Sequence, residues 1–413
     1  MPVGLPEPGS LLPVHGIRLA ACASGIKSDG LSDLVLLVAD EGTQSAAVFT
    51  QNAYCAAPVE VAKKHMLHAT SNALLINSGN ANAGTGQQGE QDALTLCQHA
   101  AQGLGMSAQQ VLPFSTGVIS EPLPVQVMQD GIDQLIPVLS EDNWLPAAQG
   151  IMTTDTVAKG ISQQCTIDNE TVTITGISKG SGMIHPDMAT MLAFVATDAA
   201  VDPYSLQQLI ETVCDQTFNC ITVDGDTSTN DSFVLMATGT ASSRLLSPSH
   251  PEWGQFVETL KLVALHLAQA IIRDGEGATK CIEIQVSGGL SVEDCRRVAF
   301  TVAHSPLVKT AFFAGDPNLG RILAAVGRSK IMGLDMQRVS LHIGELPVVE
   351  HGDPSALYEE SQAVEIMAEE DVTIKIDLGL GEESACIWTT DLSYDYVKIN
   401  AEYRTRMVPV TFD

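Results

Sequence analysis

Short, almost uninterrupted apolar runs recur between amphipathic stretches along the whole chain, and this alternation constrains the fold more than any single motif. LVLLVAD (34–40) and NALLIN (72–77) read as buried strands, and MLAFVATDA (191–199) is apolar enough to enter a core as another. A strand without a polar face needs cover on both sides, so layers must stack around it. Between the runs, GEQDALTLCQHAAQGLG (89–105) has helical apolar spacing and ends in glycine. PEWGQFVETLKLVALHLAQAIIRDGEG (251–277) is the longest helical pattern, and SVEDCRRVAFTVAHS (291–305) opens with a serine cap and an acidic third residue. VLPFSTGVI (111–119) reads as a strand running into a turn. QCTIDNETVTITGISKG (164–180) reads as a hairpin around Asp168 and Asn169, and NCITVDGDTSTNDSFVLMATG (219–239) as a second hairpin around a longer loop. From about 335 the chain is rich in strand-like runs. No linker of low complexity and no fixed-period repeat interrupts this order. The 413 residues, enough for two or three domains by length, are therefore expected to form one multi-layer α/β body with a secondary boundary near 280.

The charges are lopsided: 49 acidic against 21 basic residues give a formal net charge of −28. Such a surface repels phosphate backbones and anionic lipid, which argues against nucleic acid and membrane as partners. The nine cysteines are scattered, odd in number and never spaced CxxC, as expected of reduced thiols in a cytoplasmic chain and not of a disulfide framework or a cysteine-built zinc site. The N-terminal stretch MPVGLPEPGSLLPVHGIRLA has no basic region and three prolines, unlike a secretory signal, and no uncharged apolar run reaches the roughly 18 residues of a membrane helix.

Several familiar patterns fail on their mechanics. Gly84, Gly86 and Gly89 spell a dinucleotide fingerprint, but six residues separate the preceding strand from the first glycine and no acidic residue closes the next strand. The loop from Asp224 to Asp231 begins like a calcium loop, yet Thr229 stands where glycine is required and Leu235 where a bidentate glutamate is required. Turn chemistry, with Asp, Ser and Asn side chains bonding nearby backbone, explains it better. His65 and His68 have no plausible carboxylate partner and read as surface or packing residues, so no metal site is expected. Neither GxSxG nor GxxxxGK[ST] occurs.

The segment Lys179-Gly-Ser-Gly-Met-Ile-His-Pro-Asp-Met-Ala-Thr190 feeds a tight loop into the run MLAF. A small residue followed by threonine at the mouth of a buried strand is what a self-cleaving nucleophile needs. The Thr190 hydroxyl attacks the Ala189 carbonyl, water hydrolyses the resulting ester, and the α-amine released on Thr190, with an ordinary pKa near 8, serves as base for the same hydroxyl. A glycine-rich turn leading into a core strand fits the same residues.

KGSGMIHPDMATMLAF closely resembles the signature of the glutamate N-acetyltransferase (ornithine acetyltransferase) family of cyclic arginine biosynthesis. NSGNANAGTG, PFSTGVISEPLP, MTTDTVAKG, DGDTSTNDS, DGEGATK, VKTAFFAGDPNLGRI and YVKINAEYRT resemble further blocks of that family, in its order, so the likeness runs essentially full length. It implies a self-processed four-layer αββα sandwich of the N-terminal-nucleophile kind. Residues 1–189 would form an α chain and 190–413 a β chain; the boundary near 280 expected from the order of elements would separate a catalytic core, 1–280, from a C-terminal lobe, 281–413. The resemblance also implies a heterotetramer of two α and two β chains. Thr190 matches the nucleophile and Ala189 the cleavage site. Thr116 and Gly117 match an oxyanion hole, and Thr153, Lys179, Glu276, Asn400 and Thr405 match substrate contacts, Lys179 suiting the α-carboxylate of N-acetyl-L-ornithine and Glu276 its ammonium. The implied reaction is ping-pong acetyl transfer to L-glutamate through acetyl-Thr190, without a cofactor. No residue pattern separates this from a bifunctional type that also takes acetyl-CoA as co-substrate. A hydrolase or aminopeptidase using the same threonine, and a metabolite-binding protein without turnover, are the alternatives. Two departures stand out: Asp187 where the family usually has asparagine, placed to affect processing, and Leu319 where it has tryptophan, a packing position.

Overall fold

The computed structural model describes residues 2–27, 30–185, 191–241 and 244–407, with side chains as far as residue 402. The chain divides into two compact units. The larger takes Pro6–Asn219, Asp226–Ile271 and the chain from Glu402; the smaller takes the stretch ending at Leu5, Cys220–Gly225 and Ile272–Ala401.

In chain order the elements up to residue 273 are β1 (Ile17–Cys22), β2 (Leu34–Ala39), β3 (Gln44–Phe49), α1 (Ala57–Met66), β4 (Ala73–Asn80), α2 (Gly86–Leu104), β5 (Val111–Val118), α3 (Val125–Leu135), α4 (Trp144–Gly150), β6 (Lys159–Ile167), β7 (Glu170–Lys179), β8 (Leu192–Thr197), α5 (Pro203–Gln216), β9 (Ile221–Thr222), β10 (Ser232–Ala237) and α6 (Trp253–Arg273). Two sheets form the larger unit, one in the order β1-β2-β4-β5 and one in the order β3-β10-β8-β7-β6.

The period-2 alternation of a strand explains how they stack. In β2, Val35 and Leu37 face one core while Leu34 and Leu36 face another; in β4, Leu74 and Ile76 divide from Ala73 and Leu75 in the same way. The first core joins the two sheets, drawing in Phe194 and Ala196 of β8 and Val234 and Met236 of β10. Phe114 of β5 meets Phe194 edge to face, with ring centroids 5.1 Å apart. Burying a side chain such as Phe194 is worth about 1.5–3 kcal/mol. The second core packs the far side of the first sheet against Ala93, Leu96 and Cys97 of α2 and Met128 and Ile132 of α3. On the second sheet's far side, a Cβ added at Gly176 of β7 would strike Leu267 and Val263 of α6. Helix, sheet, sheet, helix is thus the layer order, the four-layer αββα sandwich. By length and composition α6 could cross a membrane, but here Phe256, Leu260, Val263 and Leu267 are buried in a core.

The hairpin expected at 164–180 is β6 and β7, turning on Asp168 and Asn169 with φ of 53° and 67°. The hairpin expected at 219–239 does not form. β9 pairs in parallel with a strand of the smaller unit, whereas β10 lies between β3 and β8. The acidic loop between them is a crossing from one unit to the other, and its side chains are spent on holding other segments.

The smaller unit contains β9, β11 (Cys281–Gly289), α7 (Val292–Ala303), α8 (Pro306–Ala314), α9 (Leu319–Gly327), β12 (Ser340–Ile343), β13 (Leu346–Glu350), β14 (Asp353–Pro354), α10 (Glu360–Ala368), β15 (Asp371–Asp377) and β16 (Glu383–Thr390), with α11 (Tyr394–Met407) running on past it. Its sheet has the order β14-β13-β12-β15-β11-β16-β9. Ile282, Ile284 and Val286 of β11 pack against Val298 and Val302 of α7, and Ser291 caps α7 by accepting from Asp294 N at 3.1 Å. Leu319 packs at the edge of this core.

Candidate active site

Ala189 and Thr190, with Asp187, lie outside the described residues. Their neighbours are placed. The strand after them, β8, pairs with β7 in a register that sets Leu192 opposite Lys179, and with β10 in a register that sets it opposite Ser232. The ends of β7, β8 and β10 therefore lie side by side at Leu192.

Lys179 ends β7, is 5% exposed, and donates from Nζ to the Thr116 hydroxyl oxygen at 3.1 Å. Two positions that the sequence suggested for separate duties are thus in contact. A hydroxyl that accepts from an ammonium is a better donor of its own proton, and so better suited to a developing oxyanion. Thr116 and Gly117 sit where the parallel β4–β5 ladder loses regular register beside Gly79 and Asn80. Gly117 has φ +136°, and a Cβ there would lie 2.2 Å from the Gly79 carbonyl carbon and 2.5 Å from Asn80 N. Only glycine lets the two backbones approach so closely.

Asp155 is the residue that sequence reasoning missed on this side. Its Oδ1 accepts from Lys159 Nζ at 2.6 Å and from Gly180 N at 2.7 Å, and its Oδ2 from Thr153 N at 2.9 Å. Burial alone would raise its pKa; the charges of Lys159 and Lys179 and these hydrogen bonds outweigh that and hold the carboxyl below its ordinary range. The i, i+4 spacing of Asp155 and Lys159 within MTTDTVAKG is the signal that could have found it. Thr153 and Asp155 also line a cavity of about 360 Å³ together with Lys27, Met152, Thr156 and Val157. Lys27 Nζ donates to the Met152 carbonyl at 2.7 Å in that wall. The volume is of the order that takes a small molecule.

Asn230 and Asp231 were also missed as site residues, because the acidic loop reads as a turn. The Asn230 side-chain amide donates to the Ala81 carbonyl at 2.7 Å and to the Ser115 carbonyl at 2.9 Å, fixing the peptide just before Thr116. Asp231 Oδ1 accepts from Met191 N at 2.9 Å, and Ser232 N donates to the Met191 carbonyl at 3.1 Å.

In the smaller unit, Asn400 Nδ2 donates to Glu276 Oε2 at 2.7 Å. Gly277, at φ +68°, lets the loop pass Tyr396 N, which a Cβ would approach to 2.4 Å. Ser393 Oγ donates to the Gly277 carbonyl at 2.6 Å, and the Asp391 carboxylate accepts from Thr279 N at 2.8 Å and the Thr279 hydroxyl at 2.6 Å. The loop carrying Glu276 is thereby tied to the start of α11, which carries Asn400. The backbone of Thr405 lies in α11; its side chain is outside the described set. The structure thus pairs Lys179 with Thr116 and Glu276 with Asn400, each pair within its own unit. His65 is buried, its Nδ1 2.8 Å from the Val111 carbonyl oxygen, a packing role. The one trio of potential metal ligands among the described residues, Asp168, His250 and Glu252, already engages the Arg244 guanidinium through Asp168.

The family model described as ArgJ family matches residues 18–405. Proteins named arginine biosynthesis bifunctional protein ArgJ from Pseudomonas syringae and Colwellia psychrerythraea are 50% and 47% identical, each match covering 98% of this chain and 100% of the relative. Among solved structures, that of the Bacillus halodurans protein of the same name is 41% identical, covering 51% of this chain and 98% of that one at a TM-score of 0.49. A Mycobacterium tuberculosis ornithine acetyltransferase complexed with ornithine is 30% identical, covering 44% of this chain and 97% of that one at a TM-score of 0.38.

Proposed function

The chain belongs to the ArgJ family, and from that we propose the chemistry its own residues perform. It is an acyltransferase of arginine biosynthesis that moves an acetyl group from N-acetyl-L-ornithine to L-glutamate. The Lys179 to Thr116 contact, made beside the strand pairing that leads to residue 190, carries the assignment of the site.

Cleavage comes first: Thr190 Oγ attacks the Ala189 carbonyl carbon, the peptide shifts to an ester, and water hydrolyses it, leaving a carboxylate on Ala189 and an α-amine on Thr190. In each turnover that amine takes the hydroxyl proton as Oγ attacks the acetyl carbonyl of N-acetyl-L-ornithine. Charge then gathers on one oxygen, where the Thr116 hydroxyl and the Gly117 backbone N–H stabilise it. L-Ornithine leaves with the proton, and the amine of L-glutamate attacks acetyl-Thr190 to give N-acetyl-L-glutamate. Lys179, Thr153, Glu276, Asn400 and Thr405 are the substrate contacts that the family resemblance implies. One amide is made as one is broken, so no cofactor is called for. Acetyl-CoA is the alternative donor, to be decided by direct assay. We read the enzyme as cytoplasmic, as an assembly of two α and two β chains, and as having neither nucleic acid nor membrane as partner.

Thr190→Ala tests this directly. It is expected to leave the chain uncut and to lower acetyl transfer at least about 10³-fold. Transfer that survives the substitution, or release of acetate in place of N-acetyl-L-glutamate by the unaltered enzyme, contradicts it.

A further inference from the structure

Lys309 of α8 is 4% exposed and is none of the substrate contacts that the resemblance implies. Taking an ammonium out of water is costly, and a hydrogen-bonded carboxylate is the usual compensation. Lys309 has no such partner among the described residues. Its Nζ donates to the Thr389 hydroxyl at 3.0 Å, to the Thr390 hydroxyl at 3.3 Å and to the Thr390 carbonyl, all of them neutral oxygens. Burial draws the ammonium down to about 8, and the charges of Asp391 and Asp224 offset only part of that. Methionine, of similar length and volume, would occupy the place without the cost. A chain that keeps the charge there is using the three N–H donors that come with it.

Those donors converge on the last two residues of β16. Consecutive side chains of a strand point to opposite faces, so a group that reaches both hydroxyls grips the strand end about its own axis and fixes its twist; apolar packing on one face cannot. The Glu276 loop hangs on that strand end. Thr390 lies opposite Cys281 at the start of β11, and a Cβ on Gly275, the residue before Glu276, would come within 2.8 Å of the Thr390 methyl carbon. Asp391, the next residue, accepts from Thr279 N, the Thr279 hydroxyl and Lys280 N. Leu392 N returns to the Lys309 carbonyl at 3.3 Å, Ser393 holds the Gly277 carbonyl, and Asn400 meets Glu276. One continuous line of contacts thus runs from Lys309 through the end of β16 to the Glu276 carboxylate, all within the smaller unit.

We propose that Lys309 is a positioning residue for substrate recognition: by clamping Thr389 and Thr390 it fixes the loop that presents the Glu276 carboxylate to the side-chain ammonium of N-acetyl-L-ornithine, and so sets the preference for a donor carrying that charge. This rests on the substrate contact read for Glu276. Lys309 acts through Glu276 and on no reacting atom. Its removal therefore leaves the acetyl-transfer steps as they are and weakens the selection of a charged side chain.

N-Acetyl-L-norvaline is N-acetyl-L-ornithine with its ammonium replaced by hydrogen, so the ratio of kcat/KM for the two donors reads the contact with that charge. In the full-length enzyme Glu276→Gln is expected to lower the ratio about 100-fold and Lys309→Met about 10-fold, the latter through KM for N-acetyl-L-ornithine with kcat within about twofold. Adding Lys309→Met to Glu276→Gln is expected to change the ratio by less than about twofold more, because both act at one contact. A ratio unmoved by Lys309→Met, including an equal loss with both donors, overturns the proposal, as does a full further loss in the double variant. Should Lys309→Met fail to fold, Thr390→Val takes its place: it removes one hydroxyl acceptor, keeps a methyl group against Gly275, and is expected to lower the ratio about threefold, an unchanged ratio again overturning the proposal. A ratio unmoved by Glu276→Gln refutes the Glu276 contact itself and the proposal with it, whereas a ratio moved by Glu276→Gln alone refutes only the part given to Lys309.

Discussion

Two buried aspartates hold the backbone beside neighbouring strand ends, Asp155 at Gly180 after β7 and Asp231 at Met191 before β8, and they are opposites chemically. Asp155 is oversupplied: two hydrogen bonds to one oxygen, one to the other, and the charges of Lys159 and Lys179 around it. Asp231 is undersupplied, with one oxygen on Met191 N and the other without a close hydrogen-bond partner among the described residues. Burial acts on both in the same direction; partners decide the outcome, driving one pKa below and the other above the ordinary range. A carboxylate satisfied by folding is a brace, and here it ties the Thr153 loop to the peptide after Lys179. A carboxyl left half-satisfied braces only the Met191 amide it holds.

The largest test of this contrast is stability. In an uncut Thr190→Ala background, Asp155→Ala takes the carboxylate from buried Lys159 and is expected to cost about 3–5 kcal/mol in urea unfolding. Asp231→Asn removes a carboxyl that folding does not satisfy, and is expected to stay within about 1 kcal/mol of the background or exceed it. The reverse order breaks the contrast. Next in size, Gly117→Ala forces a side chain into the Gly79 backbone at a strained φ and is expected to cost about 3 kcal/mol and to disable transfer. Gly86→Ala, at φ +60° but with open space around it, should cost about 1–2 kcal/mol and leave transfer intact.

The smallest effect, and the sharpest in sign, is with pH. The Asp155 carboxyl has a depressed pKa, so its contribution is present above its unfolded value near 3.9 and is lost as pH falls through the folded one. Asp231 in the uncut chain has a raised pKa, so its contribution is present below the unfolded value and is lost as pH rises through the folded one. Asp155→Asn should therefore flatten the acid side of the stability curve, and Asp231→Asn the side above about pH 4. Each unit of slope removed is worth about 1.4 kcal/mol, and urea titrations at stepped pH would read it.

What the sequence made legible follows from how local the cause is. The strand 192–197 was visible because its apolar run is continuous, and the hairpin at Asp168 because its turn chemistry is contiguous. The segment 219–239 was misread as a hairpin because both arms have strand composition, while the partners that claim them, β16 for β9 and β8 for β10, lie about 170 and 40 residues away in sequence. Thr116 and Lys179 were found through motif resemblance, but their contact could not be, since it depends on a register set 63 residues apart. Asp231 looked like any acid in a turn. Only the arrival of Met191 N, 40 residues upstream, distinguishes it.

Thr190 is the residue on which cleavage and transfer both depend, and intact mass of the purified protein before and after N-acetyl-L-ornithine is its test. The expected result is two chains, residues 1–189 and 190–413, with the second gaining one acetyl group and losing it again on addition of L-glutamate. A single full-length chain that transfers acetyl, or cut chains in which the acetyl group never resides on residues 190–413, would contradict it.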